Sequence, residues 1–296
     1  MSCTGRFAPS PTGPLHFGSL LAALASYLDI RAQGGRWLVR IEDLDPPREM
    51  PGASKLILET LEQFQLHWDG SVVYQSQRHA LYQQAIDALL DKQLAYPCQC
   101  SRKQMQQRGA LQAYDGYCRF HPPAAGAQTS VRAIYPDRTL SFNDRIQGER
   151  IYPADPGRGD FVIFRRDGFF AYQLAVIVDD EEQGVDQVVR GADLIDETPR
   201  QQVLQQHLGY HTPSYAHIPV LTNHEGQKLS KQTFAEPLSL EPLQIRQQLH
   251  RALALLGQRP PADAFELSPE ALLSWAVRHW SLDRVPRGLT FVQETG

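Results

Sequence analysis

No stretch of this 296-residue chain approaches the roughly 18 uninterrupted apolar residues that a membrane-spanning helix needs. Its first residues, MSCTGRFAPSPTG, lack a basic patch running into an apolar one. With neither a span nor a leader, the expectation is a cytoplasmic protein. Cysteine is scarce, at four residues, and three of these, Cys98, Cys100 and Cys118, fall within 21 positions. So sparse and clustered a set argues against a disulfide framework and for a metal clip. Repeats and low-complexity runs are missing too, and 42% apolar with 21% charged residues is the composition of an ordinary globular protein. Nor is positive charge in excess. A net charge of −4 excludes a chain-wide basic field, so any RNA site must be a local patch.

What is present begins with a short strand near Gly5–Ala8, then a Pro- and Gly-rich loop from Pro9 to Pro14 leading into His16-Phe-Gly-Ser19. Leu20, Leu21, Leu24, Tyr27 and Leu28 recur at helical spacing, giving a helix to about Gln33 that Gly34 and Gly35 end. Trp37–Asp43 (WLVRIED) reads as a buried strand. Strand, loop, helix and strand within about 40 residues make a βαβ unit of a parallel sheet. Amphipathic helices follow near Ser54–Leu66 and Tyr82–Leu94, and short strands are expected between Ala124 and Ile151. Three further segments, Phe161–Arg166, Leu174–Asp180 (LAVIVDD) and Val185–Leu194, read as a second sheet-forming half. Beyond Ala235, Ile245, Leu249, Leu253 and Leu256 share a helix face, Gly257 stops that helix, and Ser268–Pro269 starts another. The fold class is thus α/β: a Rossmann-like parallel sheet with helices on both faces over residues 1–235, split by an insertion at roughly 95–155, then a small helical domain over 236–296.

Two motifs carry chemistry. Glycine at a strand-to-helix turn lets backbone approach a ligand, and the helix beyond it offers free N–H groups and a positive dipole end to phosphate. In His16-Phe17-Gly18-Ser19, His16 adds a donor at the mouth of that helix, suited to charge building on a phosphoryl group under attack. Far downstream, Lys228-Leu229-Ser230-Lys231-Gln232 places two lysines three apart in a polar segment that can meet a triphosphate. Each motif alone is an ordinary turn or a solvated charge run. Together, in this order, they are another matter. A third constellation, Cys98-Gln-Cys100 followed by Tyr114-Asp-Gly-Tyr-Cys118, supplies three thiolates to a site that for zinc wants four ligands. General chemistry makes His121 the default fourth, and buried cysteines without a metal are the alternative.

HFGS and KLSKQ resemble the HIGH and KMSKS signatures of class I aminoacyl-tRNA synthetases. RFAPSPTGPLH, RIEDLDPPRE, FAYQLAVIVDD and VVRGADL resemble the glutamate-specific members, over about Gly5 to Gln232. The departures, Phe17–Ser19 and Leu229 with Gln232, leave His16, Gly18, Ser230 and both lysines in place. The resemblance implies ATP, with Mg2+, bound by His16, Gly18, Ser19, Lys228, Ser230 and Lys231, of which His16, Gly18, Lys228 and Lys231 would act in catalysis. It puts Arg6, Ala8, Ser10, Glu42, Tyr172 and Arg190 around L-glutamate: Glu42 on the α-ammonium, Arg6 and Arg190 on carboxylate, Tyr172 adding a directed hydrogen bond. A planar carboxylate is what an arginine reads best. It also points to Tyr114 rather than His121 as the fourth ligand of one structural zinc, with Cys98, Cys100 and Cys118.

Only 64 residues follow Gln232, room for about three helices and no separate anticodon-binding domain. The family's truncated branch transfers glutamate to the queuosine base at the wobble position of tRNA(Asp), and a monomer of that branch is the expectation. Two alternatives stand beside it: a short enzyme charging the 3′ end of tRNA(Glu), and a catalytically silent RNA-binding paralogue.

Overall fold

The computed structural model describes residues 3–111, 113–154, 159–222 and 236–292. Lys228, Ser230 and Lys231 lie outside these. Five parallel strands form the central sheet, in the order β10-β9-β1-β2-β3: β1 (Thr4–Phe7), β2 (Arg36–Ile41), β3 (Val73–Tyr74), β9 (Gln187–Gly191) and β10 (Ser214–Ile218). β1 joins β2 through helix α1 (Phe17–Arg31), the βαβ unit expected from the sequence. The run Trp37–Ile41 is buried throughout, as a parallel strand covered on both faces should be. Gly5 has a steric reason: a Cβ there would lie 2.4 Å from Cγ1 of Ile30, so a larger residue would push α1 off β1.

Helices α2 (Ala53–Gln63) and α3 (His79–Asp91) follow β2 and match the amphipathic segments. A second, antiparallel sheet then interrupts the nucleotide-type fold, made of β4 (Ala95–Cys98), β5 (Ser130–Ala133) and β8 (Phe161–Phe164). Between its strands lie two short helices, α4 (Arg102–Gln107) and α5 (Tyr117–Phe120), and a hairpin of β6 (Leu140–Asp144) with β7 (Gly148–Tyr152).

Two expectations are corrected here. Phe161–Phe164 is a strand, but it pairs with β5 rather than with the central sheet. Leu174–Asp180 is not a strand at all: it lies inside helix α6 (Tyr172–Glu182), and all seven of its residues are buried. A helix enclosed on every side has no polar stripe, so its sequence reads like a core strand. Its N-cap, Ala171, makes no side-chain cap, which removes the usual start signal. Among the central strands only Gln187–Gly191 of that predicted second half takes its place, and α7 (Thr198–Leu208) leads from it to β10.

After β11 (Val220–Thr222) the described chain resumes at Glu236 and runs through α8 (Pro242–Leu255), α9 (Pro269–His279) and β12 (Thr290–Val292), which pairs with β11. The capping at these helices is as the sequence indicates: Gly257 has φ +73°, and Ser268 Oγ accepts from the Ala271 N–H at 3.2 Å. Ile245, Leu249, Leu253, Leu272 and Leu273 join Leu20, Leu24, Val39 and Ile57 in one core, with α1 between the sheet and α8 and α9.

Candidate active site and metal clip

Parallel sheets collect their functional side chains where the strands end, because all carboxyl ends point one way. Here Arg6 lies near the end of β1, Glu42 directly follows β2, and Arg190 and His217 are register partners near the ends of β9 and β10. The Glu42 N–H donates to the Pro9 carbonyl at 3.0 Å and the Met50 N–H to the Pro11 carbonyl at 2.9 Å, so the loop holding Ala8 and Ser10 runs beside Glu42. Ala8 is half-buried and Ser10 exposed.

His16 caps α1, its Nδ1 accepting from the Ser19 N–H at 3.3 Å. In the neutral ring that bond puts the proton on Nε2, so the histidine presents a donor beside the free N–H groups of the helix start. A Cβ on Gly18 would lie 3.0 Å from His16 Cε1, so a larger residue there would need the imidazole to shift by a few tenths of an ångström. Pro237 bridges to His16, and the Leu238 N–H bonds the Leu15 carbonyl at 3.0 Å. The described chain therefore resumes beside the histidine motif. The lysines themselves lie outside the described residues.

Behind the strand ends sits an ionic core that sequence reasoning did not foresee. Asp180 takes Arg6 Nε at 3.2 Å and Arg40 Nη2 at 2.7 Å; Asp179 takes Arg78 Nε at 2.6 Å, Gln75 at 2.7 Å and the Tyr82 hydroxyl at 2.9 Å. Burial alone would push the Asp180 carboxyl up, but Arg6 and Arg40 outweigh it and hold the group below the usual carboxylate range. The available signal was the pair Asp179-Asp180 ending an apolar run, since carboxylates in a core need cations.

Glu42 is treated differently. Its side chain is 9% exposed, the nearest cation atom is Arg40 Nη2 at 3.7 Å, and its buried Oε1 has no hydrogen-bond partner among the described residues. Burial pushes its carboxyl up to about 7, against the opposing pull of Arg40 and Arg6. Such a carboxylate is prepared for a hydrogen-bonding cation that the described residues do not supply. Arg190, in turn, gives Nη1 to the Tyr172 hydroxyl at 3.2 Å, Nε to His217 Nε2 at 3.0 Å, and Nη2 to Thr198 Oγ1 at 2.9 Å and the Leu194 carbonyl at 3.3 Å. Tyr172 is within electrostatic reach of Arg190, Glu42 and Arg6, so these four predicted residues are brought together.

The sulfurs of Cys98, Cys100 and Cys118 all lie within 4.8 Å of one another. The Tyr114 hydroxyl is 3.3 Å from both Cys98 Sγ and Cys100 Sγ, and Cys100 Sγ is 3.4 Å from Cys118 Sγ. With zinc bond lengths of about 2.3 Å to sulfur and 2.0 Å to oxygen, a tetrahedron has edges of about 3.8 Å between sulfurs and about 3.5 Å from sulfur to oxygen. Three thiols and a phenol are thus already close to those spacings, and the donor set fits a tetrahedral soft-metal site. His121 is not among them: its ring stacks on Tyr117 and its Nδ1 sits 3.1 Å from the Tyr117 carbonyl.

A parallel sheet whose strand ends carry a buried ionic cluster, beside a helix start capped by a histidine, has the layout of a ligand-binding α/β core. The profile of tRNA synthetases class I (E and Q), catalytic domain, matches residues 2–263, and the chain belongs to that family of ligases acting on tRNA. Over 289 residues it is 50% identical to a protein of Vibrio cholerae serotype O1 named glutamyl-Q tRNA(Asp) synthetase, covering 98% of this chain and 94% of that one. A protein of the same name from Neisseria gonorrhoeae is 53% identical, over 96% of this chain and 97% of that one. Among solved structures, a glutamate tRNA ligase from Elizabethkingia meningosepticum in complex with its amino acid superimposes with a TM-score of 0.83 at 25% identity. That match covers 97% of this chain and 66% of the ligase, so the chain spans about two thirds of its length.

Proposed function

We propose that the protein activates L-glutamate with ATP and transfers it to the queuosine base at the wobble position of tRNA(Asp). The observation that carries the activation half is Glu42, a buried carboxylate with an oxygen that lacks a hydrogen-bond partner among the described residues, beside Arg6, Tyr172 and Arg190. An α-ammonium would complete Glu42, and Arg6 and Arg190 would read carboxylate, with Ala8 and Ser10 lining the mouth. In the first step a glutamate α-carboxylate oxygen attacks the α-phosphorus of Mg-ATP and expels pyrophosphate. His16 Nε2–H, the Gly18 N–H, the Ser19 hydroxyl, and the motif Lys228, Ser230 and Lys231 would balance the charge that builds there. A hydroxyl of the cyclopentenediol then attacks the mixed anhydride, and AMP leaves.

The acceptor rests on the names of the relatives at about half identity over nearly the whole chain. Zinc held by Cys98, Cys100, Tyr114 and Cys118 would brace the inserted lobe, its role structural. Transfer of labelled glutamate should be followed to tRNA(Asp) with and without queuosine and to tRNA(Glu), each also lacking the 3′-terminal adenosine. Label that requires queuosine and survives loss of the adenosine is the expected result. Label that follows the adenosine of tRNA(Glu) would instead make this a short charging enzyme, and absence of glutamate-dependent ATP–pyrophosphate exchange would refute activation altogether.

A further inference from the structure

Arg190 differs from its cationic neighbours in the company it keeps. Arg6 through Nε and Arg40 through Nη2 both pair with Asp180, whereas among the described residues the hydrogen-bond partners of Arg190 are neutral: a ring nitrogen, a phenol, a hydroxyl and a backbone carbonyl. Among the described residues it makes no ion pair. Four of its five N–H groups are thereby fixed, Nε, both on Nη2 and one on Nη1.

The Nε acceptor is the informative one, because a histidine accepts at Nε2 only in one tautomer. That tautomer is set by Asp144, at the end of β6. Asp144 Oδ1 takes the backbone N–H groups of Ile146 at 3.0 Å, Gln147 at 2.8 Å and His217 at 3.2 Å, while Oδ2 meets His217 Nδ1 at 2.5 Å. Only donors converge on this carboxylate, so Nδ1 carries the proton and Nε2 keeps its lone pair. We infer that Asp144 and His217 are positioning residues that aim Arg190 at a carboxylate of the bound amino acid through a neutral imidazole. A carboxylate placed directly on Arg190 would hold it equally still but would cancel the charge the substrate needs. An intervening histidine separates the two tasks: it fixes the plane of the guanidinium and leaves the charge uncompensated at contact distance. Burial, opposed by Asp144 and reinforced by Arg190, pushes the His217 imidazolium down to about 4, so the ring is neutral in the working range.

This inference rests on the reading that Arg190 binds glutamate, and the experiment separates the two. In the full-length protein, glutamate and ATP dependences of pyrophosphate exchange are measured for Asp144→Asn, His217→Leu, His217→Gln and Arg190→Lys, with side-chain nitrogen NMR of His217. In Asp144→Asn the amide oxygen is claimed by the three backbone N–H groups, leaving its NH2 facing Nδ1, which forces the proton to Nε2. Expected are a glutamate KM raised at least 10-fold with ATP KM within twofold, and His217 shifted to the Nε2–H form. His217→Leu should match that loss, and His217→Gln, whose amide oxygen can accept from Arg190, should recover most of it. If Arg190→Lys raises the glutamate KM but Asp144→Asn and His217→Leu do not, the positioning role is wrong while the pocket stands. Should Arg190→Lys leave that KM unchanged, the pocket assignment falls and this inference with it. A wild-type His217 carrying its proton on Nε2 overturns the inference even if every variant fails to fold.

Discussion

Glu42 costs the empty protein stability, and the sign of that cost can be worked out. Its folded pKa, about 7, lies above the ordinary 4.5, so the native state holds the proton more tightly than the unfolded chain does. The native fold is therefore favoured at low pH and loses that advantage as pH rises from 4.5 through 7, by on the order of 3 kcal/mol at most. Glu42→Gln keeps the shape and removes the charge. Relative to wild type, its melting temperature should rise between pH 5 and pH 8, while glutamate-dependent pyrophosphate exchange falls 100-fold or more at both. A pH-independent difference would mean that Glu42 is not held near neutral protonation. The opposite case is Asp179, whose removal takes the carboxylate partner from half-buried Arg78, one of two close aspartates from buried Arg40, and the acceptor from Gln75 and Tyr82: Asp179→Ala should cost about 3–5 kcal/mol in urea unfolding. Asp167→Ala, which breaks only an exposed pair with Arg165, should cost under about 1 kcal/mol. Equal losses at the two sites would show that burial is not what gives Asp179 its weight.

At the scale of elements, what could be read from the sequence followed the visibility of one face. α1, α2, α3, α8 and α9 were legible because apolar positions recur at helical spacing and glycine or Ser-Pro marks an end. α6 was not, since seven consecutive buried residues leave no face to contrast. β10 went unread within SYAHIPVLT, a run whose His217 looks polar until Asp144 and Arg190 are brought to it from distant parts of the chain. The same limit applies to the site: Arg6, Glu42, Tyr172 and Arg190 were named in advance, but Asp180, Asp144 and His217 become meaningful only through non-local partners. The cysteine lobe, by contrast, announces itself by spacing. α4 and α5 are six and four residues long, too short to hold themselves, so the cluster of Cys98, Cys100, Cys118 and Tyr114 must organise them. The purified protein is expected to contain about one zinc per chain by atomic emission, retained in His121→Ala and lost in Cys98→Ser with Cys118→Ser. Loss of metal in His121→Ala would return the fourth position to that histidine.

Over the whole molecule, α1 is the shared wall. One side covers β1, β2 and β9, and the other receives α8 and α9, with Trp280 Nε1 donating to Asp29 Oδ1 at 3.2 Å and Arg145 from the β6–β7 turn holding the same carboxylate at 2.6 Å. The helix whose start presents His16 is thus clamped along its length by a segment more than 200 residues away. Ending the chain after Leu240 would strip Ile245, Leu249, Leu253, Leu272, Leu273 and Ala276 from that core. Its five larger side chains, at roughly 1.5–3 kcal/mol each, sum to on the order of 10 kcal/mol, comparable with the roughly 5–15 kcal/mol that holds a typical protein folded. Even after discounting for a compact unfolded state, little margin is left. The full chain should therefore show one calorimetric transition, and the chain ending at residue 240 should show none, with its glutamate-dependent exchange absent. Two separate transitions in the full chain, or a shortened chain that melts near the wild-type temperature, would mean that α1 stands on the sheet alone and that α8 and α9 merely lean on it.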